Sequence, residues 1–309
     1  MMNRTAYMTE KIFFALGTVC RITVYDGNVH DALEHSKRRV MEIHERMNAY
    51  DMHSEVSRIN ASAGSGFVKV SDDTFRLIKQ SVRYSQQTDG LYDITSRPSS
   101  ELWKASIASR TLPSAYMIRA AADLVNYRDI LLNSAERSVM LKRHGQQLDL
   151  GAIAKGYAAD EVRRILLQED VTEALINLGG TVVTLGSCRR IGIRHPFKKS
   201  GVPFAYIDLS DKAVVTSGTY EQGAMIDGRH CHHIIHPKTG SPSDADLVGV
   251  TLIGDHAEQL DALSTAVFMM GIRRAVPMLQ RLGIEAIFVS KDGNVFTTDN
   301  ISGRCAKAG

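Results

Sequence analysis

The stretch "DLGAIAKGYAAD", Asp149 to Asp160, places two aspartates, two glycines and a lysine where an apolar run gives way to helical spacing. A strand end, a glycine-bearing turn and a helix start together make an anion site. The first-turn N–H groups lack intrahelical acceptors, and the helix dipole favours negative charge. Gly151 lets the backbone approach a ligand closely, and Lys155 adds a point charge. The stretch matches neither the G-x-G-x-x-G nor the G-x-x-x-x-G-K-[ST] phosphate fingerprint, so a tight strand-to-helix turn with Gly151 at a strained angle is the competing reading. From Lys155 to Gln168 the chain reads as a helix, with Ala158, Val162, Ile165 and Leu166 on one face.

Upstream, helices are expected over Asp31–Met47, Ser71–Thr88 (capped by Ser71 or Asp72) and Pro113–Asn126, the last with an early-turn proline. Strands are expected at Val19–Tyr25, Ser138–Leu141 and Gln147–Leu150, while "NAYDMHSEVSRIN" (48–60) and "TDGLYDITSRPSSELW" (88–103) read as loops. Downstream, "EALINLGG", "TVVTLG", "RIGIR", "FAYIDL" and "AVVTSG" read as short strands, and "HHIIHPKTGSP" (His232 to Pro242) as a strand ending in a turn. "LVGVTLIG" follows as a strand, then helices over His256–Gly271 and Arg273–Leu282, and a closing hairpin around Asp292-Gly293. Strands that do not alternate regularly with helices predict an α+β fold with mixed or antiparallel sheets and packed helices. The length of 309 residues, 44% of them hydrophobic, allows one catalytic unit over 1–309, built of two α+β parts at about 1–150 and 151–309.

Thirty-seven basic and 34 acidic residues give a net charge of +3, too balanced for a nucleic-acid footprint. The short basic points "SKRRV" (36–40) and "FKKS" (197–200) read as solvated surface. Cys20, Cys188, Cys231 and Cys305 are far apart, with no Cys-x-x-Cys pair and no pattern of a disulfide framework. The apolar patch Ile12–Leu16 is too short for a signal h-region, and no apolar run is long enough to span a bilayer. A cytoplasmic protein without membrane insertion is expected.

Two further segments carry chemistry. In "DALSTA" (261–266), Asp261 and Thr265 share a helix face. A carboxylate and a hydroxyl near backbone carbonyls suit Mg²⁺, a hard cation that keeps waters and phosphates as ligands. A polar stripe on a packed helix is the plainer alternative, although a charge on so apolar a helix needs a partner. In "HCHHIIH" (230–236), strand alternation would put His230, His232 and His236 on one side and His233 on the other. A three-histidine metal face is one reading. A separate His233 available for proton transfer near pH 7, or a purely structural His233, are the others.

In order along the chain, these segments resemble the ApbE family of FAD:protein FMN transferases. "MNAYDMHSEVSRIN" is similar to the family's S-x-Y-D-x-x-S-E-[IV]-S-x-[LI]-N segment, "GLYDITSRPSSELW" to its G-x-[FY]-D-[IP]-T-x-x-P-L-x-x-L-W segment, and "DLGAIAKGY" to D-L-[GS]-[AG]-I-A-K-G-Y. "INLGG", "IGIRHP", "TSGTYEQ", "GRHCHHIIHPKTGSP" and "DALSTAVFMMG" follow in family order, so the resemblance spans about Leu16 to Gly271. It implies an FAD cleft between two α+β parts. It also implies Mg²⁺ on the pyrophosphate, held by the Asp261 carboxylate, the Thr265 hydroxyl and the Ala152 carbonyl. Lys155 would neutralise charge, or fix the turn by pairing with Asp149 or Asp160. The threonine hydroxyl of an acceptor flavoprotein would attack the FMN-side phosphorus, with AMP leaving. His233, with Asp261, would be catalytic, His233 moving the threonine proton. Leu16, Thr18, Asn48, Tyr50, Asp51, Ser54, Glu55, Tyr92, Asp93, Thr95, Lys155, Ser217, Gly218, Tyr220, Arg229 and His233 would line or shape the FAD cleft.

The chain departs from the family pattern in places. Leu16 replaces a methionine, His236 an aspartate, and Ser99 and Ser100 stand where apolar residues are common. The lipoprotein signal of many members is not read here, which implies a cytosolic acceptor with a D-x-x-T-[SGA]-[AT]-like segment, such as a fumarate-reductase-like enzyme. A Mg²⁺-dependent FAD pyrophosphatase and a non-catalytic FAD-binding module are the competing functions.

Overall fold

Period-two burial is clearest in Ala174–Leu178, where alternate side chains are buried, and this strand lies near the middle of the main sheet. The computed structural model describes residues 8–27, 29–194, 202–219, 223–298, 301 and 305–307. In chain order the elements begin with β1 (Thr9–Ala15), β2 (Thr18–Val24), α1 (His30–Met47), α2 (Glu55–Ala61), β3 (Val68–Lys69), α3 (Asp72–Gln87), α4 (Arg97–Ser109) and α5 (Ala115–Asp123). Next come β4 (Ile130–Asn133), β5 (Ser138–Leu141), α6 (Ala154–Gln168), β6 (Ala174–Leu178), β7 (Thr181–Leu185), β8 (Arg189–Arg194), β9 (Pro203–Leu209) and β10 (Ala213–Gly218). The last are β11 (Gly223–Ile226), β12 (Arg229–His232), β13 (Leu247–Gly254), α7 (Ala257–Met270), α8 (Ile272–Leu282), β14 (Glu285–Ser290), β15 (Val295–Thr297) and β16 (Cys305–Lys307).

Eight strands form one antiparallel sheet in the order β1-β2-β6-β7-β10-β13-β14-β15. Its first two strands come from the start of the chain and the rest from Ala174 onward. Helices α1, α6 and α7 cover one face, burying Ile43, Val162 and Phe268 with Ile22, Ile176 and Val215 of the sheet. The other face packs Val182, Val214 and Ile253 against Ile191, Ile193 and Ile207 of the smaller β8–β9–β16 sheet. A satellite cluster of Trp103, Ile226, Cys231 and Ile235 joins α4 to the β11–β12 hairpin, and Trp103 Nε1 donates to Gly240 O at 2.6 Å.

The α+β expectation holds, and so do the helices around α1, α3, α6, α7 and α8. Other local readings are corrected. Gln147–Leu150 makes only one bridge, Gln147 to Ser96, and is no strand. The polar segment 48–60 contains α2, capped by Ser54, and the segment 88–103 starts α4, with Pro98 in its first turn where a missing N–H costs nothing. Pro113 precedes the cap of α5, which is Ser114. The histidine strand stops at His232, because the chain turns at His236–Gly240 and holds only the Ile235–Pro242 bridge. The patch Ile12–Leu16 belongs largely to edge strand β1, and β16 pairs with β9 beyond the expected closing hairpin. The "FKKS" segment lies outside the described residues.

Candidate active site

The turn that opens α6 meets α7 through a glycine. A Cβ at Gly156 would lie 2.2 Å from Ala257 O and 2.8 Å from Asp261 Cβ, so no larger residue permits this helix approach. The contact lets Gly156 N–H donate to Asp261 Oδ2 at 2.9 Å. Asp160, one turn further along α6, accepts from the N–H groups of Ala257 and Glu258 at 3.1 and 2.9 Å and so caps α7. Lys155 Nζ lies 3.6 Å from Asp261 Oδ1 and donates to Gly151 O at 2.9 Å. Its partner is therefore Asp261, not Asp149 or Asp160. Asp149 instead accepts from Gly151 N–H at 2.7 Å and faces Arg97 at 3.7 Å.

This junction forms part of the wall of a cavity of about 1250 Å³. The structure brings twelve of the expected site residues to its lining: Leu16, Thr18, Tyr50, Tyr92, Asp93, Ala152, Lys155, Ser217, Gly218, His233, Asp261 and Thr265. Asp261 is buried and Ser217 Oγ shares a 2.8 Å hydrogen bond with Ser264 Oγ, which donates to Asp261 O, tying β10 to α7. Thr18 packs into the space above Gly179, where a Cβ would sit 2.4 Å from its Oγ1 and where φ is +64°.

Six of the expected residues among those described fall outside the lining, Asn48, Asp51, Ser54, Glu55, Thr95 and Arg229, and all but Arg229 have other work. Asp51 Oδ1 accepts from His53 N–H at 2.9 Å. Ser54 Oγ caps α2 by accepting from Ser57 N–H, and Glu55 accepts from the N–H and hydroxyl of Ser71. Asn48 Oδ1 accepts from Tyr50 N–H at 3.0 Å. Thr95 donates its hydroxyl to Asp93 Oδ1 and accepts from Asn126 N–H, while Asp93 Oδ2 accepts from Tyr127 N–H. Burial pushes the Asp93 carboxyl up and these hydrogen bonds oppose it, the signature of a loop staple. Arg229 is exposed on β12. Tyr220 lies outside the described residues.

The three-histidine face does not form. His230 and His232 neighbour each other on β12 with ring centroids 5.4 Å apart, while His236 sits beyond the strand in the following turn. His232 is buried, and burial drives its imidazole down to about 4 against the opposing hydrogen bond to Ser243 O. Among the described residues, no group of three or more His, Cys, Asp or Glu side chains is arranged to hold a metal. His233 is exposed and lines the cavity.

Sequence reasoning missed Glu101, Lys104, Asn177, Arg194 and Met269, all of which line the cavity. Glu101 accepts from Tyr50 Oη at 2.8 Å, and Lys104 Nζ sits 4.3 Å from the Tyr50 ring centre. Reading Pro98 as a first-turn proline would have revealed α4 and put Glu101 and Lys104 on one face, three residues apart. Asn177 belongs to "INLGG", at the end of β6 just before the turn that holds Gly179.

An antiparallel α+β frame with a large cavity whose lining includes Ala152, Asp261 and Thr265 is the class these features define. The chain belongs to the ApbE family, whose model matches residues 16–288. It is 39% identical over 243 positions to the FAD:protein FMN transferase of Klebsiella pneumoniae (strain 342), covering 78% of this chain and 77% of the relative. Identity to the FAD:protein FMN transferase of Treponema pallidum (strain Nichols) is 30%, over 94% of this chain and 86% of that one. The crystal structure of the ApbE protein of Thermotoga maritima matches with a TM-score of 0.88 at 31% identity, over 96% of this chain and 99% of that one. The flavin transferase ApbE of Vibrio cholerae matches with a TM-score of 0.84 at 23% identity, over 97% and 99%, a likeness of fold.

Proposed function

We propose that this protein transfers the FMN moiety of FAD to a threonine hydroxyl of an acceptor flavoprotein and releases AMP. The observation that carries the reading is the convergence of Asp261, Thr265, Ala152 and His233 on one cavity large enough for a dinucleotide. The names of the relatives point the same way. The whole chain works as one catalytic unit, with residues 1–150 and 151–309 contributing the two sides of the cleft.

The donor set fits Mg²⁺. Asp261 Oδ2 already accepts from Gly156 N–H, while Oδ1 faces Lys155 Nζ at 3.6 Å, beyond hydrogen-bond distance. The Asp261 carboxylate, the Thr265 hydroxyl and the Ala152 carbonyl would hold the ion, all hard oxygen donors. When bound, Mg²⁺ supplies charge neutralisation at the pyrophosphate.

The protein's own groups do the rest. His233 takes the proton from the acceptor threonine as Oγ bonds to the FMN-side phosphorus. The P–O bond to the AMP phosphate breaks and AMP leaves, while Lys155 balances negative charge beside Asp261. Leu16, Thr18, Tyr50, Tyr92, Ser217 and Gly218 shape the FAD site, and the supports at Asn48, Ser54, Glu55, Asp93 and Thr95 hold its walls. Asp51, Arg229 and Tyr220 stay assigned to shaping the FAD cleft on the sequence resemblance. The acceptor carries a D-x-x-T-[SGA]-[AT]-like segment, as a fumarate-reductase-like enzyme would. A cytoplasmic setting is supported by the free thiols of Cys20, Cys188 and Cys231. No helix among the described residues is long and apolar enough to cross a membrane.

The exposure of His233 admits a protein-borne hydroxyl, and it admits water equally. Hydrolysis of FAD to FMN and AMP is therefore the second reading. AMP release measured with and without acceptor separates the two. Release that depends on the acceptor and falls in His233→Ala supports transfer. Equal release without acceptor supports hydrolysis.

A further inference from the structure

Next to His233 stands a histidine that the proposed chemistry does not use. His232 is 3% exposed, and both of its ring nitrogens are bonded. Nδ1 accepts from Ile234 N–H at 3.2 Å. An amide N–H can only donate, so Nδ1 carries no proton and Nε2 must carry it. Nε2–H then donates to Ser243 O at 3.0 Å. The backbone closes the same clamp, since Ser243 N–H donates to Ile234 O at 2.9 Å. One neutral imidazole thus joins the residues on both sides of His233 to the strand-like segment at Ser243.

The ring also reaches α7. Its plane stands edge-on to Phe268, with centroids 6.4 Å apart and planes at 80°. Phe268 is fully buried and lies seven residues after Asp261 and three after Thr265, on the same helical stripe. His232 is therefore a direct physical link between the His233 segment and the helix that carries the oxygen donors.

We propose that His232 is a positioning residue that sets His233 against the Asp261–Thr265 face of α7. The inference rests on the transfer reading above and deepens it. Burial drives the imidazole down to about 4, so the neutral, doubly bonded form is the one present near neutral pH. In that state the clamp has a fixed tautomer, and a ring nitrogen lost on either side leaves a buried backbone group unpaired.

The test is steady-state FMN transfer with FAD, Mg²⁺ and an acceptor domain, alongside FAD binding followed by flavin fluorescence. His232→Phe keeps a ring against Phe268 and loses both hydrogen bonds. We expect its kcat to fall at least tenfold, while the Kd for FAD changes less than about threefold. His232→Asn places an acceptor near the Nδ1 position and should recover part of kcat; His232→Gln, which lacks that acceptor, should recover less. A His232→Phe enzyme with wild-type kcat, or with kcat and FAD binding reduced in equal proportion, overturns the proposal. If His232→Phe does not fold, the Asn and Gln variants decide, and Gln equal to or better than Asn overturns it. Wild-type protein that releases no AMP from FAD would instead count against the transfer reading, separately from the role of His232.

Discussion

The N–H of Gly156 donates to Asp261 Oδ2 at 2.9 Å across a helix contact too close for any side chain. One hydrogen bond therefore links the packing of α6 on α7 to the orientation of the carboxylate in the cavity. Gly156→Ala must push Ala257 and Asp261 aside. It is expected to destabilise the fold by about 1–3 kcal/mol, the usual range for overpacking. Urea unfolding checks this, and a midpoint equal to wild type would mean the helices yield without cost.

Asp261→Asn separates charge from packing. The amide oxygen can still accept from Gly156 N–H, so thermal stability should stay close to wild type. FMN transfer should fall at least a hundredfold and cease to respond to added Mg²⁺. Mg²⁺-dependent activity retained in this variant would remove the metal assignment.

Asp73 anchors a second network. Arg39 makes two 2.7 Å bonds to it, Tyr157 Oη donates at 2.6 Å and Arg46 at 2.8 Å, joining α1, α3 and α6. Burial raises its carboxyl, but these hydrogen bonds and the arginine charges prevail and hold it at about 2. A depressed folded value means stability present above the unfolded value near 3.8 and lost as pH falls through about 2. About 2 kcal/mol should be lost over that window. Asp73→Asn should be less stable at pH 7 and show a flatter decline between pH 4 and 2 in denaturation titrations. An unchanged slope would assign the acid sensitivity elsewhere.

Ser99 Oγ on α4 and Ser36 Oγ on α1 are buried without a hydrogen-bond partner among the described residues. Removing an unpaired hydroxyl and adding helix propensity act in the same direction. Ser36→Ala and Ser99→Ala should each stabilise the protein by about 0.5–1 kcal/mol in urea unfolding. A loss of stability in either would show that its hydroxyl has a partner.

The sequence made the periodic parts of this fold readable and hid the polar ones. Helices α1, α3, α6 and α7 carry apolar stripes, and the strands from β6 to β10 are rich in branched residues, so local pattern and burial agree. Helix α2 follows a serine cap, α4 carries a first-turn proline, and both are rich in serine and other polar residues, so composition mimics a loop. The pairing of Lys155 with Asp261, rather than with a neighbouring aspartate, depends on a helix crossing that no local pattern encodes. Ser54, Glu55 and Thr95 sit in motifs that resemble a ligand site, yet their side chains hold loop and helix ends. A motif records that residues act together; it does not say which of them faces the cleft.

The most direct test of the central claim is the intact mass of an acceptor flavoprotein domain after incubation with this protein, FAD and Mg²⁺, followed by peptide mapping. The account predicts a gain of one FMN phosphoester on the threonine of a D-x-x-T-type segment, with AMP released in equal amount. AMP and free FMN with the acceptor mass unchanged, under conditions where a relative modifies the same domain, would contradict it.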